Sequence, residues 1–327
     1  MPLDSFFVAK QVQLEEKINE WSARFPDRLR VDWVESYSGH KVYALSVSDF
    51  GQDASLKKAH YFAQPHAHEP GTTAGMVNVI EELLTGKNML GQDTALDVQE
   101  VLGRTLLTFN PIGNPQGREN APVLCWDGSG YSNNQFWCWM RGEDPDQPGK
   151  MWKRLDLWDR RHERAPDPVG IVYEQIDAYR YVEPNRSQAS SYFKLFHMLD
   201  QRYQYRAWLD LHQTEFVNSP FNCMMLEALE GETTGEIKRY NRVWGEAIVQ
   251  AWGDAGYRSY PEPKALSYSG VQAAYFRQNW GRLHQRIRIL NTEVKNNAAD
   301  APPQFQMEAQ SIAMLKSIEI LLNNAID

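Results

Sequence analysis

The stretch AHYFAQPHAHEPGTTAG, residues 59–75, decides the predicted fold because it joins a short apolar strand to a helix through a polar loop. The loop places His66, His68 and Glu69 just after the strand, and a Pro-Gly pair precedes the helix. In open α/β sheets, ligands gather where strands end. The loop by itself leaves two interpretations open, since an isolated H-x-x-E pattern fits half of a metal site and also an exposed polar turn.

Strands and helices alternate along the rest of the chain. Helices are predicted over about 5–22 and 72–84, with a hairpin on either side of Ser38-Gly39 between them. The segments TLLTFNPIGNP, RAWLDLHQTE and RIRILNTEV predict further buried strands, and QMEAQSIAMLKSIEILLNNAI predicts a C-terminal helix. This pattern predicts an α/β fold, a single domain over residues 1–327 with a mixed, mostly parallel central β-sheet flanked by helices.

Residues from about 117 to 170 break this alternation. They are rich in Trp, Gly, Pro, Asp and Arg and have no sustained periodicity. Long irregular segments in compact domains are commonly lids or binding loops. We therefore expect a Trp-rich loop insertion that covers a site.

Composition excludes several classes of protein. The formal charge of −8, from 34 Lys+Arg against 42 Asp+Glu, and the lack of a basic stripe argue against a nucleic-acid partner. Cys125, Cys138 and Cys223 form a sparse, odd set, so reduced thiols are expected rather than disulfides. No signal-peptide pattern and no uncharged apolar run of about 18 residues is found. We expect a cytoplasmic protein without a membrane partner; the sequence leaves the oligomeric state open.

Two later strand ends carry further candidates for a metal centre. A catalytic zinc site takes three protein ligands and keeps one open position, so His66 and Glu69 need a third ligand such as His212 in LDLHQTE. A general base that is not a ligand is also required, and Glu293 lies near the end of an apolar strand. Each residue also has an ordinary interpretation: His212 as a strand-end imidazole bonded to a carbonyl group, Glu293 as the partner of a nearby arginine.

Two loops carry candidates for substrate binding. Asn185 and Arg186 in YVEPNRSQ place an amide beside a guanidinium, which together can hold a carboxylate. Tyr268 lies in the small-residue loop ALSYSGVQ and could cover a pocket. Surface Asn-Arg pairs and loop tyrosines are both common without such a role.

The order of these motifs is specific. H-x-x-E, N-P-x-G, N-R, a strand-end D-x-H, a tyrosine in a Ser/Gly loop and a T-E-V strand resemble the zinc carboxypeptidases of the carboxypeptidase A-like metallopeptidase family. The opening helix, FPDR and the hairpin ESYSGHKVYALSVSD are also similar to that family. The resemblance extends from about residue 10 to residue 300. It implies the zinc carboxypeptidase fold and one Zn²⁺ ion per chain.

The resemblance also implies a role for each candidate. His66, Glu69 and His212 would bind zinc and Glu293 would be the general base, with His68 kept as a rival ligand. In the substrate site, Asn185 and Arg186 would hold the terminal carboxylate under Tyr268 as a mobile cap.

The chain departs from the family pattern in two motifs. The family's N-P-D-G is NPQG here, at residues 114–117. The family's oxyanion-stabilising arginine follows a Trp, and this chain has MWKR at 151–154. We take Arg154 for this role, with Lys153 and Arg141 as competitors, because a forked guanidinium suits an oxyanion better than the point charge of lysine.

The implied activity is hydrolysis of a C-terminal peptide bond by a metal-activated water, on a peptide or acyl-amino-acid substrate with a free carboxylate. One alternative is an amidohydrolase acting on small N-acyl amino acids, since DLHQT is similar to the aspartoacylase-like branch; a cell-wall-peptide amidohydrolase is also possible. A second alternative is a binding domain without catalysis. Side-chain preference is left open, with the pocket floor expected near Gln272 or Ala273.

Overall fold

The computed structural model describes residues 2–53, 57–143, 149–152, 155, 157–163 and 169–323. Its strands are β1 Leu29–Glu35, β2 Lys41–Val47, β3 Lys58–Ala63, β4 Thr105–Asn110, β5 Trp158–Asp159, β6 Glu174–Gln175, β7 Arg180–Val182, β8 Ala207–Thr214, β9 Cys223–Leu229, β10 Lys264–Leu266 and β11 Arg288–Lys295. Its helices are α1 Gln11–Arg24, α2 Pro70–Thr85, α3 Val98–Arg104, α4 Pro115–Glu119, α5 Asn133–Arg141, α6 Ser191–Tyr203, α7 Gly235–Asp254, α8 Gly270–His284 and α9 Pro303–Leu322. Short 3-10 turns lie at Leu3–Ser5 and Pro184–Arg186.

The central sheet has the strand order β1-β2-β4-β3-β8-β11-β9-β10. Its middle strands β4, β3, β8 and β11 run parallel. The hairpin β1-β2 is antiparallel and pairs antiparallel with β4, and β9 is antiparallel to β11. The predicted mixed α/β sheet is confirmed, and the carboxyl ends of its parallel strands meet at one edge.

Helices cover both faces of this sheet. Alternate residues of each strand point to opposite faces, so β8 sends Leu209 and Leu211 to one face and Trp208 to the other. The first face is covered by α2, α7 and α9, and the second by α6 and α8. The second face matters for function, because Asp210 and His212 follow Trp208 on that side of β8.

Close packing between α2 and α9 fixes the start of α2. A Cβ atom built on Gly75 would lie 2.7 Å from the Cβ of Gln310 and 3.1 Å from the carbonyl oxygen of Met307. Only glycine permits this approach of the two helices. The loop before α2, which contains His66 and Glu69, is therefore held against a rigid helix pair.

The first helix begins later than its sequence pattern predicts. It starts at Gln11 rather than near residue 5. The side chain of Gln13 accepts hydrogen bonds from the backbone N–H groups of Ala9 and Lys10, both at 3.0 Å, and so caps the helix there. Phe7 instead packs in a separate buried cluster with Met307. The prediction was wrong at this end because Phe6 and Phe7 belong to that cluster and not to the buried face of the helix.

The Trp-rich insertion has its own apolar cluster. Trp126, Phe136, Trp152 and Trp158 are buried together, with the rings of Trp152 and Trp158 4.9 Å apart. Helix α5 belongs to this segment and ends at Arg141. The boundaries of the insertion stay a prediction, but its described part forms a packed wall of the molecule.

Of the described helices, none has the length and apolar character needed to cross a membrane.

Candidate metal centre

The loop between β3 and α2 brings His66 and Glu69 into direct contact. Nδ1 of His66 lies 2.9 Å from Oε1 of Glu69, and both side chains are buried. The buried side chain of Arg118 supports this loop. Its Nη2 donates to the carbonyl oxygen of His66 at 3.3 Å, and its Nη1 donates to the carbonyl oxygen of Ala9 at 3.2 Å. The H-x-x-E pattern is therefore a buried, supported turn and not an exposed one.

Strand β8 supplies the third side chain of the cluster. Nδ1 of His212 lies 3.2 Å from Nδ1 of His66 and 3.3 Å from Oε2 of Glu69. One ligand atom from each of the three residues lies within 4.8 Å of the others. The structure thus brings together the three predicted zinc ligands across 146 positions of sequence.

The outer nitrogens of both imidazoles face acceptors. Nε2 of His212 lies 2.9 Å from Oδ2 of Asp210, and Nε2 of His66 lies 3.1 Å from Oε1 of Glu183 and 3.2 Å from Oδ1 of Asn185. An ionised carboxylate can accept a hydrogen bond but cannot donate one. In the neutral rings of His66 and His212, the single N–H proton therefore lies on Nε2. The two Nδ1 atoms then present lone pairs toward each other and toward Glu69, an arrangement suited to a cation between them.

The electrostatics of the cluster favour added positive charge. Burial raises the pKa of Glu69, but the charges of His66 and His212 outweigh it and lower that pKa overall. Burial lowers the pKa of His212, but Asp210 and Glu69 outweigh it and raise that pKa well above its usual value. A divalent ion would supply the positive charge that these carboxylates otherwise draw from protons.

The chemistry of these ligand atoms fits zinc. Two imidazole nitrogens and one carboxylate oxygen are a common catalytic set for Zn²⁺, and carboxylates behind the histidines fix the ring orientations. The three residues therefore satisfy the requirements for one zinc ion per chain.

His68, the rival ligand, is outside the cluster. Its Nε2 lies 3.4 Å from Oε1 of Glu69, and its ring stacks on His66 with centroids 5.2 Å apart. Burial lowers the pKa of His68 well below the usual range of histidine, so the ring is neutral. It forms part of the cavity wall beside the site.

Glu293 lies in register with His212 on the neighbouring strand. Paired residues of adjacent parallel strands point to the same face of the sheet, so both side chains face the same cavity. Glu293 is half-buried. The structure places it beside the candidate metal ligands but outside their cluster.

The predicted substrate residues lie in the same cavity. Asn185 and Arg186 are buried on the 3-10 turn Pro184–Arg186, and Nη2 of Arg186 donates to the hydroxyl oxygen of Tyr268 at 2.9 Å. All three line the cavity that contains the candidate metal ligands. Tyr268 lies in the loop before α8, as predicted.

Of the three candidates for the cation that stabilises the oxyanion, the structure describes only Arg141. Arg154 and Lys153 lie outside the described residues. Arg141 lines the cavity, is buried, and its Nη1 donates to Oε2 of Glu183 at 2.8 Å and to Tyr173 at 3.2 Å.

Sequence reasoning missed several residues of the site. Glu183 stands in the quoted YVEPNRSQ stretch but was given no role; its position two residues before Asn185 was the available signal. Asp210 lies two positions before His212, which on a strand means the same face. Gln272 and Ala273, near which the pocket floor was expected, do not line the cavity, whereas Phe276, Trp280 and His284 further along α8 do.

Comparison with known proteins agrees with this geometry. The family profile described as zinc carboxypeptidase matches residues 14–222. A search of curated proteins found no match.

Several solved structures share the fold. Carboxypeptidase A from Helicoverpa armigera aligns with a TM-score of 0.62 at 14% identity over 97% of this chain and 74% of that chain. Bovine thrombin-activatable fibrinolysis inhibitor, solved with a tick carboxypeptidase inhibitor, aligns with a TM-score of 0.60 at 12% identity over 99% of this chain and 100% of that chain. The metallo-carboxypeptidase from Burkholderia cenocepacia aligns with a TM-score of 0.56 at 13% identity over 97% of this chain and 70% of that chain.

At these identities the structures establish the fold alone. The profile match covers more than half of the chain, and the three predicted ligands meet in one buried cluster. On these grounds the chain belongs to the zinc carboxypeptidase family.

Proposed function

We propose that the protein hydrolyses the C-terminal peptide bond of substrates that carry a free carboxylate. One observation supports this most strongly: a carboxylate-binding pair, a cluster of metal ligands and a separate acid all line one cavity. A substrate held at its carboxylate by the pair would place its last peptide bond between the other two groups.

The acid is Glu293. A zinc ion held by His66, Glu69 and His212 supplies a Lewis acid that makes a water molecule more acidic and polarises the scissile carbonyl group. Glu293 takes the water proton and returns it to the leaving amine. General catalysis of this kind contributes about 10²–10⁴-fold to the rate.

The carboxylate-binding pair is Asn185 and Arg186. Arg186 is buried, and Tyr268 and Glu183 nearby hold it in its charged form and raise its pKa despite burial. Its hydrogen bond to Tyr268 fixes the guanidinium at the cavity wall. A terminal carboxylate would accept from Arg186 and from the amide of Asn185, with the Tyr268 hydroxyl beside them.

Arg141 is the cation that we propose for the oxyanion, in place of Arg154. Its Nη1 is occupied by Glu183 and Tyr173, which fix the side chain at the cavity wall. Within the described residues, its other N–H groups donate to no side chain. A fixed donor of this type is worth about 3–4 kcal/mol of transition-state stabilisation.

The proposal is tested with a peptide that has a free C-terminus, the same peptide amidated at its C-terminus, and an N-acyl amino acid. We expect mass spectrometry to show loss of the last residue from the free peptide only. Cleavage of the N-acyl amino acid alone would replace this proposal with the small-substrate amidohydrolase. Zinc-dependent binding with no hydrolysis of any of the three would indicate a binding domain.

A further inference from the structure

One part of the cavity, the branch, is lined by helix α8 and by residues of β9, β10 and β11. Its wall begins at the carboxylate-binding pair, where Nε1 of Trp280 donates to the carbonyl oxygen of Asn185 at 2.8 Å. The ring of Tyr268 lies 5.8 Å from that of Phe276, which continues the wall. The residues that line this branch are Leu226, Leu266, Phe276, Trp280, His284 and Asn291.

His284 gives this branch an unusual polar group. The side chain is 1% exposed, and neither ring nitrogen has a hydrogen-bond partner among the described residues. Its ring stacks with Phe276 at 5.5 Å and lies 6.0 Å from Trp280. A buried imidazole without partners costs free energy, so a cavity-lining one is suited to a partner that arrives with a ligand.

None of the described residues that line the branch carries a formal charge at pH 7. Burial lowers the pKa of His284 to about 4, so the ring is neutral at pH 7 with one donor and one acceptor nitrogen. Asn291 adds an amide from β11, two positions before Glu293 on the same face of the sheet. A charged guest would be desolvated there without a counter-ion, whereas a neutral polar guest would be hydrogen-bonded.

We propose that this branch holds the side chain of the substrate's C-terminal residue and that His284, with Asn291, selects neutral side chains with an apolar body and a hydrogen-bonding tip. Tyrosine is the reference side chain. This inference rests on the proposed function, because Asn185 and Arg186 must hold the terminal carboxylate for the adjacent side chain to enter the branch. Leu226, Leu266, Phe276 and Trp280 would contact the body of the side chain, and His284 its tip.

The test compares zinc-loaded wild type on two peptides that differ only in a terminal tyrosine or phenylalanine. A neutral hydrogen bond is worth about tenfold, so kcat/KM should favour tyrosine by about that factor. His284→Leu should remove the preference, mainly through a higher KM for the tyrosine peptide, so that the ratio of the two kcat/KM values falls to about one. His284→Gln, which keeps a donor and an acceptor, should retain part of it.

His60 provides a matched control. It is also buried with both ring nitrogens unpartnered, but it stacks on Phe62 on the opposite face of the sheet and does not line the cavity. His60→Leu should leave the preference at its wild-type value. If His284→Leu does not fold, Asn291→Leu tests the same branch and should reduce the preference.

Binding of free L-tyrosine and L-phenylalanine, followed by calorimetry, separates this inference from the proposed function. Tighter binding of L-tyrosine, lost in His284→Leu, would support the inference even if no peptide is cleaved. Equal or weaker binding of L-tyrosine, an unchanged preference in folded His284→Leu, or a preference for lysine or glutamate would overturn it.

Discussion

Glu293 is the residue on which the proposed chemistry depends most. Glu293→Gln keeps the shape of the side chain but cannot take a proton. We expect kcat to fall about 10²–10⁴-fold while zinc content stays at one ion per chain. Steady-state kinetics and metal analysis on the same preparation check this, and a variant with near wild-type kcat would remove Glu293 from the mechanism.

Glu183 positions His66 and Arg141 together. Its two carboxylate oxygens face Nε2 of His66 at 3.1 Å and Nη1 of Arg141 at 2.8 Å. Arg141 and His66 hold the pKa of Glu183 well below its usual value, although burial raises it. The carboxylate is therefore ionised and contacts both groups at once.

We expect Glu183→Gln to weaken zinc affinity about 10–100-fold, because a neutral amide replaces the carboxylate that faces the metal-binding histidine. Competition with a chelator of known affinity measures this. Glu174→Gln is the control, since it is the same substitution at a buried carboxylate that does not line the cavity. Equal zinc affinity in Glu183→Gln and wild type would contradict the orienting role.

Individual ligands were predictable where the motif was local. His66 and Glu69 lie three positions apart in a strand-end loop, a spacing that sequence can indicate. Glu183 had only its position near Asn185 as a signal and His284 had none, because their importance comes from contacts with residues more than 100 positions away or from the cavity that folding creates. The roles of Glu293, Asn185, Arg186 and Tyr268 stay predictions until activity is measured.

Among the elements, the helix pair α2 and α9 sets the position of the metal loop. Gly75→Ala would place a Cβ atom 2.7 Å from that of Gln310, so the helices would have to separate. We expect a loss of about 1–3 kcal/mol in the free energy of unfolding, measured by urea titration. Gly253→Ala in α7 is the control, since a Cβ atom there meets nothing within 4 Å and the change should stabilise the helix by up to about 1 kcal/mol. A neutral Gly75→Ala would contradict this packing.

The segment NPQG, residues 114–117, departs from the family pattern and forms a helix cap with contacts to a neighbouring loop. Asn114 caps α4 by accepting from Gly117 N–H at 3.0 Å, and its Nδ2 donates to the carbonyl oxygens of Ile171 and Val172. The segment does not line the cavity. The substituted position therefore lies in a segment with a structural role, bonded through Asn114 to Ile171 and Val172.

Strand pattern predicted the central elements well, because β3, β4, β8 and β11 are buried on both faces and read as apolar runs. It did not predict how the insertion packs. The rings of Trp152, Trp158 and Tyr173 come together only through contacts between segments without periodic patterns.

For the molecule as a whole, stability should depend on pH through Glu174. This buried carboxylate accepts hydrogen bonds from Ser191 N–H at 3.0 and 3.1 Å, and burial raises its pKa from 4.5 to about 7. Between pH 4.5 and about pH 7, Glu174 keeps its proton in the folded protein but loses it in the unfolded chain. The free energy of unfolding therefore falls as pH rises toward 7.

Glu174→Gln should flatten this fall. Urea titrations of wild type and variant at pH 5 and pH 8 measure it, with the difference between the two proteins isolating Glu174 from the histidines of the metal cluster. Identical pH dependence in the two proteins would contradict the raised pKa.

Metal removal should destabilise the whole fold, because the ligands come from β8 and from the loop between β3 and α2. A ligand present at about 1,000 times its Kd adds about 4 kcal/mol to the stability of the folded state. We expect a chelator to lower Tm and added zinc to restore it, with no response in His66→Ala/His212→Ala. A wild-type Tm that does not change with zinc would contradict a site formed only in the folded protein.

The cytoplasmic location stays a prediction.

The most direct test of this account is anomalous X-ray diffraction at the zinc absorption edge, from crystals of the zinc-loaded protein. We expect one strong peak per chain, bonded to Nδ1 of His66, Nδ1 of His212 and the carboxylate of Glu69, with Glu293 facing its remaining position. A peak elsewhere, or none beside these three side chains at full zinc loading, would contradict the account.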